Sequence, residues 1–566
     1  MKKIFFLVFS ALFLISSCTS DFDEINERPD ALTAKDVSAK YFVTGLQQVF
    51  FAPNRYPYWR GPLIHFDRFS GQHIFGDKNC WWNEELAYTY HPAYTQATYD
   101  WMANYNSTLT SFMNFTKEGG TLENENYYAI GLIMKGLYYQ RFTDTFGMIP
   151  YTEASNPDIT TPKYDDQKTI YDGVFADLNS AISIIGSKTT TGEGPELLGD
   201  NDLFFKGNLQ DWKALANSLK LKMALRAHGS GGVDYSAHVT AASSGVLGTK
   251  NAVLPRDTEI NMWSSATYGD IWWSFPVNAL WSMGSKVVDV LQNNNDPRLS
   301  KYAKPIEGGI KVLKKPTAGP NVALFKKHTD FIINHLKDSG VELTTKEESN
   351  GDITVTIGSG VYYAGKPART IGAFNQYSHI EFFSKPSDLI TQKKNQGKPI
   401  HPYQVMTAAE SHFLLAEAAV KGVGTGSANT HYQNGIRHAM ELWEVPSAQI
   451  DKYLAEESMA TLTGTGDLEK IATQRWLAHY SDGMEAWAVM RDTGFPVIYK
   501  NTDGIGYKST NAVSDKDIYH LGDLNGAFPQ RLRYSSSPYN TNSANTEAAN
   551  AIQGPDKQAT KLWWAK

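Results

Sequence analysis

Two stretches of the chain bring flat aromatic rings together with hydrogen-bonding side chains, outside any helical periodicity. The first, RYPYWRGPLIHFDRFSGQHIFGDKNCWWNEELAYTYH from Arg55 to His91, carries Trp59, Trp81, Trp82, Tyr88 and Tyr90 among Arg, Asp, His and Asn. The second, NMWSSATYGDIWWSFP from Asn261 to Pro276, carries Trp263, Tyr268, Trp272 and Trp273. A sugar presents C–H patches that match aromatic faces and hydroxyl edges that match Asn, Asp and Arg. Small-molecule sites combine such apolar walls with a few placed polar groups. The candidate ligand contacts are therefore Trp81, Trp82, Asn83, Trp263, Tyr268, Trp272 and Trp273. The competing role for each ring is packing of its loop against the rest of the chain. Neighbouring side chains in extended backbone point to opposite faces, so at least one Trp of each doublet is expected to be buried.

Catalysis is the rival chemistry. A glycoside hydrolase needs two carboxylates flanking the scissile bond. Glu84 and Glu85 beside the Trp doublet are the best pair, but adjacent residues diverge. The sequence has no HExxH zinc signature, no GxSxG elbow and no phosphate-binding loop. It has two cysteines, Cys18 and Cys80. A lipid-anchored Cys18 leaves Cys80 without a mate, so neither a disulfide nor a cysteine metal site is expected. No loop has calcium-ligand spacing, and no cofactor is expected. The formal charge of −6, without a Lys/Arg-dense block, argues against a nucleic-acid partner. Aromatic residues make up 13% of the chain, including 14 Trp and 30 Tyr; cores account for most, and the remainder are candidates for an exposed platform.

The N-terminus reads as an address. Lys2 and Lys3 precede an apolar run from Ile4 to Ile15, broken only by Ser10, and then small residues. That is a secretory signal. The run is about twelve residues, whereas a spanning helix needs about 20, and no later stretch is long enough without charges. ISSC resembles a lipobox, which makes Cys18 the lipidated first residue of the mature chain; two or more acyl chains give stable anchoring. Asp21, Asp23 and Glu24 follow at once, as in lipoproteins exported to the outer face of the outer membrane.

The rest is read mainly as helices. Apolar residues repeat every three or four positions at Tyr127, Ile130, Met134 and Leu137, with Gly147 and Pro150 as a stop. Further stripes are Ile170, Val174, Leu178, Ile182 and Ile185; Trp212, Leu215, Leu219 and Met223, with Asp211 as N-cap; Ala409, Phe413, Ala416 and Val420; and Tyr432, Ile436, Met440 and Trp443. One-sided stripes must pack on neighbours, so antiparallel helix pairs are predicted. DITVTIGSGVYY (352–363) alternates like a hairpin. Residues 186–202, 340–351 and SSSPYNTNSANTE read as loops, while KLWWAK is too aromatic for a free tail. Asp144 is expected to bond backbone amides or an Arg. Glu410 and Glu417, seven apart on one helix face, read as partners of Arg226 or Arg475, with metal binding as the alternative. Glu485 and Arg491 read as partners of each other.

RFTDTFGMIPYTEA (141–154) resembles the SusD/RagB family of nutrient-binding outer-membrane lipoproteins, in its SusD-like branch. PKYDDQKTIYDGVFADLNSAI (162–182), DLFFKGNLQDWKALANSLKLKMALR (202–226), VVDVLQNNNDPRL (287–299), MTAAESHFLLAEAAVKG (406–422), EAWAVMRDTGFP (485–496), the terminal LWW and the opening DFDEINERPDALT (21–33) fit in order. Asp492 departs from the pattern, standing where a second Arg is common. The RLRYSSSPYNTNSANTEAA loop lacks the usual Tyr-Pro and following Glu, and 305–360 is longer than typical. The resemblance implies a mainly α, right-handed scaffold of tetratricopeptide-like helix pairs, with a loop-rich ligand region and minor β-hairpins. It implies a signal peptide over 1–17 and a mature domain over 18–566. Scaffold would fall mainly in 30–55, 94–230 and 405–495, and ligand-facing loops mainly in 55–93 and 255–400. Family function would be capture of an oligosaccharide, or alternatively a peptide, as the lid of a SusC-like TonB-dependent transporter, with no chemistry catalysed. A structural divalent cation occurs within such a family. Cys18→Ala is expected to abolish palmitate labelling and move the protein out of the membrane fraction; a labelled, sedimenting variant would contradict the tether.

Overall fold

The computed structural model describes residues 37–51, 59–74, 90–255, 281–319, 321–368, 379–391, 401–498, 524 and 527–565. Helices dominate. Those that build the scaffold and the insert are α1 (Lys40–Phe51), α2 (Pro92–Thr116), α3 (Glu125–Phe146), α4 (Gln167–Ile185), α5 (Leu209–Ala227), α6 (Ser236–Ser243), α7 (Ser285–Asn293), α8 (Asn321–Asp338), α9 (Ala408–Val420), α10 (Ala428–Leu442), α11 (Asp467–Ala478), α12 (Gly483–Thr493) and α13 (Ser543–Gln553), and a further helix spans Ser447–Glu456. Sequence neighbours pack side by side: α3 with α4, α5 with α6, α9 with α10, and α11 with α12. The apolar stripes face inward: Ile130, Met134, Val174, Leu178, Trp212, Leu219, Phe413, Ile436 and Trp443 are all buried.

Local chemistry sets the helix ends. Asn124 caps α3 by accepting from the Asn126 and Tyr127 amides at 2.9 and 3.2 Å. Gly147 closes α3 with φ +85°, donating to the Thr143 carbonyl at 2.7 Å. That left-handed conformation favours glycine, and a Cβ there would also press on the end of the Gln553 side chain, 2.2 Å from its Oε1. α5 is capped by Asn208, which accepts from the Gln210 and Asp211 amides. The expected cap, Asp211, instead occupies the first turn, where its charge suits the helix dipole. Asp202 holds the lead-in: its carboxylate accepts from Gln47 Nε2 (2.8 Å), Trp212 Nε1 (2.8 Å) and the amides of Phe204 and Gly207 (both 2.9 Å).

Two stretches read as loops are not loops. Residues 340–351 contain a strand. β4 (Gly309–Leu313), β5 (Leu343–Glu347) and β6 (Ile353–Ile357) form an antiparallel sheet in the order β4-β6-β5, with Ile353 opposite both Leu313 and Glu347. The alternating signal of β6 is real, but its hairpin partner lies upstream. Residues 343–347 read LTTKE and are mostly exposed, so they carry no apolar alternation to detect. α8 packs on this sheet around Phe331, Ile332, Leu336 and Val355, a second core within the long insert. SSSPYNTNSANTE likewise folds into a short helix (Ser536–Thr541) and the start of α13. Asn542 anchors the join by donating to the Pro162 carbonyl at 2.6 Å.

The main core closes around charge. Asp144 at the end of α3 accepts from Tyr171 Oη and Trp564 Nε1, both at 2.7 Å, and from Gln140 Nε2 at 2.6 Å. Arg226 of α5 bridges Asp144 to Glu485 of α12, and Lys222 reaches Glu485 at 3.5 Å. Arg475 of α11 binds Glu417 at 2.7 Å and Glu410 at 3.2 Å, both from α9, and His479 contacts Glu410. Arg141 binds Asp482 at 3.1 Å. These side chains are nearly inaccessible to solvent. The carboxylates seven apart on α9 thus share Arg475, not Arg226. Glu485 pairs with Arg226, not Arg491. Arg491 instead donates to the carbonyls of Asp144 and Gln530 and lies 3.5 Å over the Trp487 ring. Burial would lower Arg226, Arg475 and Lys421, and their carboxylate neighbours, Glu485 and Asp144 for the first and Glu417 for the other two, outweigh it; the unusual Asp492, itself buried, adds to that negative charge.

Burial alone would raise the Asp482 and Glu485 carboxyls. Arg141 beside the first, and Arg226 and Lys222 beside the second, outweigh burial and hold both below the ordinary range. Groups with depressed folded pKa values stabilise above their unfolded values, and that stabilisation is lost as pH falls through the folded ones. Arg475→Met, which leaves buried Glu410 with only His479 and Glu417 with only Lys421 as cationic partners, is expected to cost about 3–5 kcal/mol in urea unfolding. The wild-type urea midpoint should also fall as pH drops below about 4. A cost for Arg475→Met under about 1 kcal/mol would contradict the network's role.

Candidate functional site

Trp81, Trp82, Asn83, Trp263, Tyr268, Trp272, Trp273 and Cys18 lie outside the described residues. The described residues that flank the two aromatic stretches do meet. β1 (His73–Ile74) pairs antiparallel with β3 (Ser282–Met283), His73 opposite Met283 and Ile74 opposite Ser282. The chain therefore enters 75–89 from Ile74 directly across from Ser282, the second residue after 256–280. Trp81 is seven residues beyond Ile74, and Trp273 nine before Ser282.

Further ends join it. The Gly284 amide donates to the Gln72 carbonyl at 2.9 Å, and a Cβ on Gly284 would lie 1.8 Å from the Gly71 carbonyl oxygen. The Lys366 amide donates to Met283 O at 2.7 Å, and the Met283 amide donates to Ser384 O at 2.8 Å, which brings in both flanks of 369–378. Ile498, just before 499–523, sits against Gly71. The second stretch departs from β2 (Ala252–Leu254), which pairs with β7 (Tyr403–Met406). The first returns at Tyr90, whose ring lies 3.9 Å under the Arg533 guanidinium.

The ribbon is fixed from below. A π-helical turn, Trp59–Asp67, contains Pro62, which has no amide to donate. It ends at Asp67, whose carboxylate takes His73 Nδ1 at 3.1 Å and the Gly483 amide at 3.0 Å. His73 Nε2 lies 2.9 Å from Tyr480 Oη. Gln72 Nε2 donates to the His479 carbonyl at 3.0 Å, and its Oε1 accepts from the Ser481 amide at 3.2 Å. Trp476 Nε1 donates to Ser70 O at 2.9 Å. Residues 67–73 are thus tied to the end of α11 and the α11–α12 turn, which also carry Arg475 (in α11), His479 and Asp482 of the ion network. Phe66 and Phe69 pack on Trp487, and burial pushes His65 down to about 3, so it sits neutral among them.

Asp67, His73 and Tyr480 form a hydrogen-bonded chain resembling a proton relay. All three are buried, and the Tyr480 hydroxyl is also within reach of Met283 Sδ and Tyr302 O. No face is left for a substrate, and the chain positions the ribbon. Among the described residues, Glu410, His479 and Glu485 offer ligand atoms within 4.8 Å of one another. Arg475, Arg226 and Lys222 already neutralise those carboxylates, so a metal ion there would face three fixed positive charges. The ribbon itself escaped sequence reading because two-residue strands have no periodicity; Gly71 and Gly284, where backbones touch, are its only trace.

A mainly helical scaffold of sequence-adjacent pairs is the fold of SusD-like proteins. The chain belongs to the SusD-like family: the family model described as starch-binding and associating with the outer membrane matches residues 72–339 and 334–515. Similar solved structures include a chitin-binding protein (22% identity, 93% of this chain and 99% of that one, TM-score 0.69). Others are a SusD-like protein from Bacteroides thetaiotaomicron (24%, 93% and 98%, TM-score 0.67) and a chitin-binding SusD homolog from Flavobacterium johnsoniae (19%, 93% and 98%, TM-score 0.66). No functionally curated protein matches the chain. No helix among the described residues is long and apolar enough to cross a membrane.

Gly483→Ala would place a Cβ 2.2 Å from Asp67 Oδ1 and 2.4 Å from the Asp67 amide nitrogen. It is expected to cost about 1–3 kcal/mol in thermal or urea unfolding by overpacking the junction beneath the ribbon. An unchanged stability would show that α12 and Asp67 do not hold each other.

Proposed function

We propose that this protein is a surface lipoprotein, cut from its signal over 1–17 and tethered through Cys18, that captures oligosaccharides and passes them to a SusC-like TonB-dependent transporter whose lid it forms. The observation that carries the reading is the β1–β3 pairing, which brings the flanks of both aromatic stretches to one place. Family membership supports the nutrient role, and the chitin-binding names of two structural relatives favour an amino-sugar or glucose polymer. In this reading Trp81, Trp82, Asn83, Trp263, Tyr268, Trp272 and Trp273 supply ring-stacking faces and an amide edge, residues 55–93 and 255–400 supply the ligand side, and the helix pairs supply the rigid frame. Binding rather than catalysis is the output, without a cofactor.

Calorimetry of the mature chain in detergent against chito- and malto-oligosaccharides tests this. Trp81→Ala and Trp272→Ala are each expected to weaken binding about tenfold or more, a loss of about 1.4 kcal/mol. Unchanged affinity in both variants would remove the platform. Heat with peptides and none with glycans would move the ligand class, and release of shortened sugar would make the protein an enzyme.

A further inference from the structure

Three imidazoles gather on the seam between α9 and α10, far in role from the ribbon and the ion network. His431 and His438 are seven apart on α10 and share a face; His412 stands opposite on α9. The His412 ring stacks against both, with centroids 5.4 Å away in each case and interplanar angles of 29° and 13°. His412 Nε2 donates to the Gly248 carbonyl at 3.0 Å. That bond fixes the tautomer, so His412 Nδ1 accepts from His431 Nδ1–H, 3.2 Å away; a metal ion would take the place of that proton once His431 carries it on Nε2. Two nitrogens each about 2.05 Å from a tetrahedral zinc ion are about 3.3 Å apart. A backbone carbonyl holding the far N–H of a ligating histidine is the usual outer support of such sites. His438 Nδ1 is held by the Glu441 carboxylate at 2.9 Å, which adds a nearby negative charge.

We infer that His412 Nδ1 and His431 Nδ1 form a divalent transition-metal site of the zinc class on the α9–α10 seam, completed by water. All three rings are partly open to solvent, so an ion can enter and keep water ligands. Both ligating rings must be neutral to bind. The hard cations calcium and magnesium prefer oxygen ligands and are not expected here.

The test titrates chelator-stripped mature protein with Zn²⁺ alone by calorimetry, and with Co²⁺ by visible absorption. The wild type should bind one equivalent, show the d–d bands of nitrogen-ligated cobalt and gain thermal stability with zinc. His412→Gln and His431→Gln should each weaken zinc about tenfold or more and lose the stability gain. The metal-free urea midpoint of His431→Gln, a half-buried position, controls for folding. A wild type that takes up no zinc, or undiminished binding in both variants, would overturn the inference, and either result leaves the glycan reading untouched.

Discussion

Arg226 cannot be buried alone. Taking a guanidinium out of water costs several kcal/mol, and only a well-placed counter-charge offsets it. Asp144 from α3 and Glu485 from α12 supply that charge, and each is itself held by other segments: Tyr171 from α4, Trp564 from the C-terminus, Lys222 from α5. Arg475 repeats the arrangement between α9 and α11. Helices far apart in sequence must therefore arrive together or leave charges stranded. The network adds specificity of assembly to a core whose bulk stability comes from buried aromatic and aliphatic side chains.

The junction of α11 and α12 that carries Arg475, His479 and Asp482 also holds Gln72, Asp67 and His73. A chain of short, buried contacts runs from the ion network to the β1–β3 ribbon. Function at loops depends on rigid elements beneath them, and here the rigid element is two residues long on each side. Its strength comes from tight backbone approaches, at Gly284 on Gly71 and Gly483 on Asp67, which admit no side chain. The long insert stands apart, with its own core of α8 on a three-stranded sheet, so its added length need not disturb the main scaffold.

Much of the scaffold was legible in the sequence because helices bury one face, and Tyr127, Ile170, Trp212, Ala409 and Tyr432 head stripes that the structure buries. Partner choice within the charge network was half legible. Spacing put Glu410 and Glu417 on one face, but spacing cannot say which Arg crosses from another helix, and Glu485 found Arg226 rather than its helix neighbour Arg491. The strand at 343–347 was hidden because its side chains are mostly exposed and polar. Asp211 looked like a cap because it precedes the stripe, yet Gly207 (φ +84°) turns the chain one residue before Asn208, the residue that caps α5. For the candidate contacts, composition pointed to two stretches, while the fact that their flanks pair depends on a ribbon without periodicity.

The central claim is that the buried scaffold delivers two aromatic stretches to one ligand. A crystal structure of the mature chain bound to a chito- or malto-oligosaccharide tests it most directly. The account predicts one sugar chain touching rings from both 75–89 and 256–280 on the side of the β1–β3 ribbon. A sugar seated elsewhere, in contact with neither stretch, would contradict it.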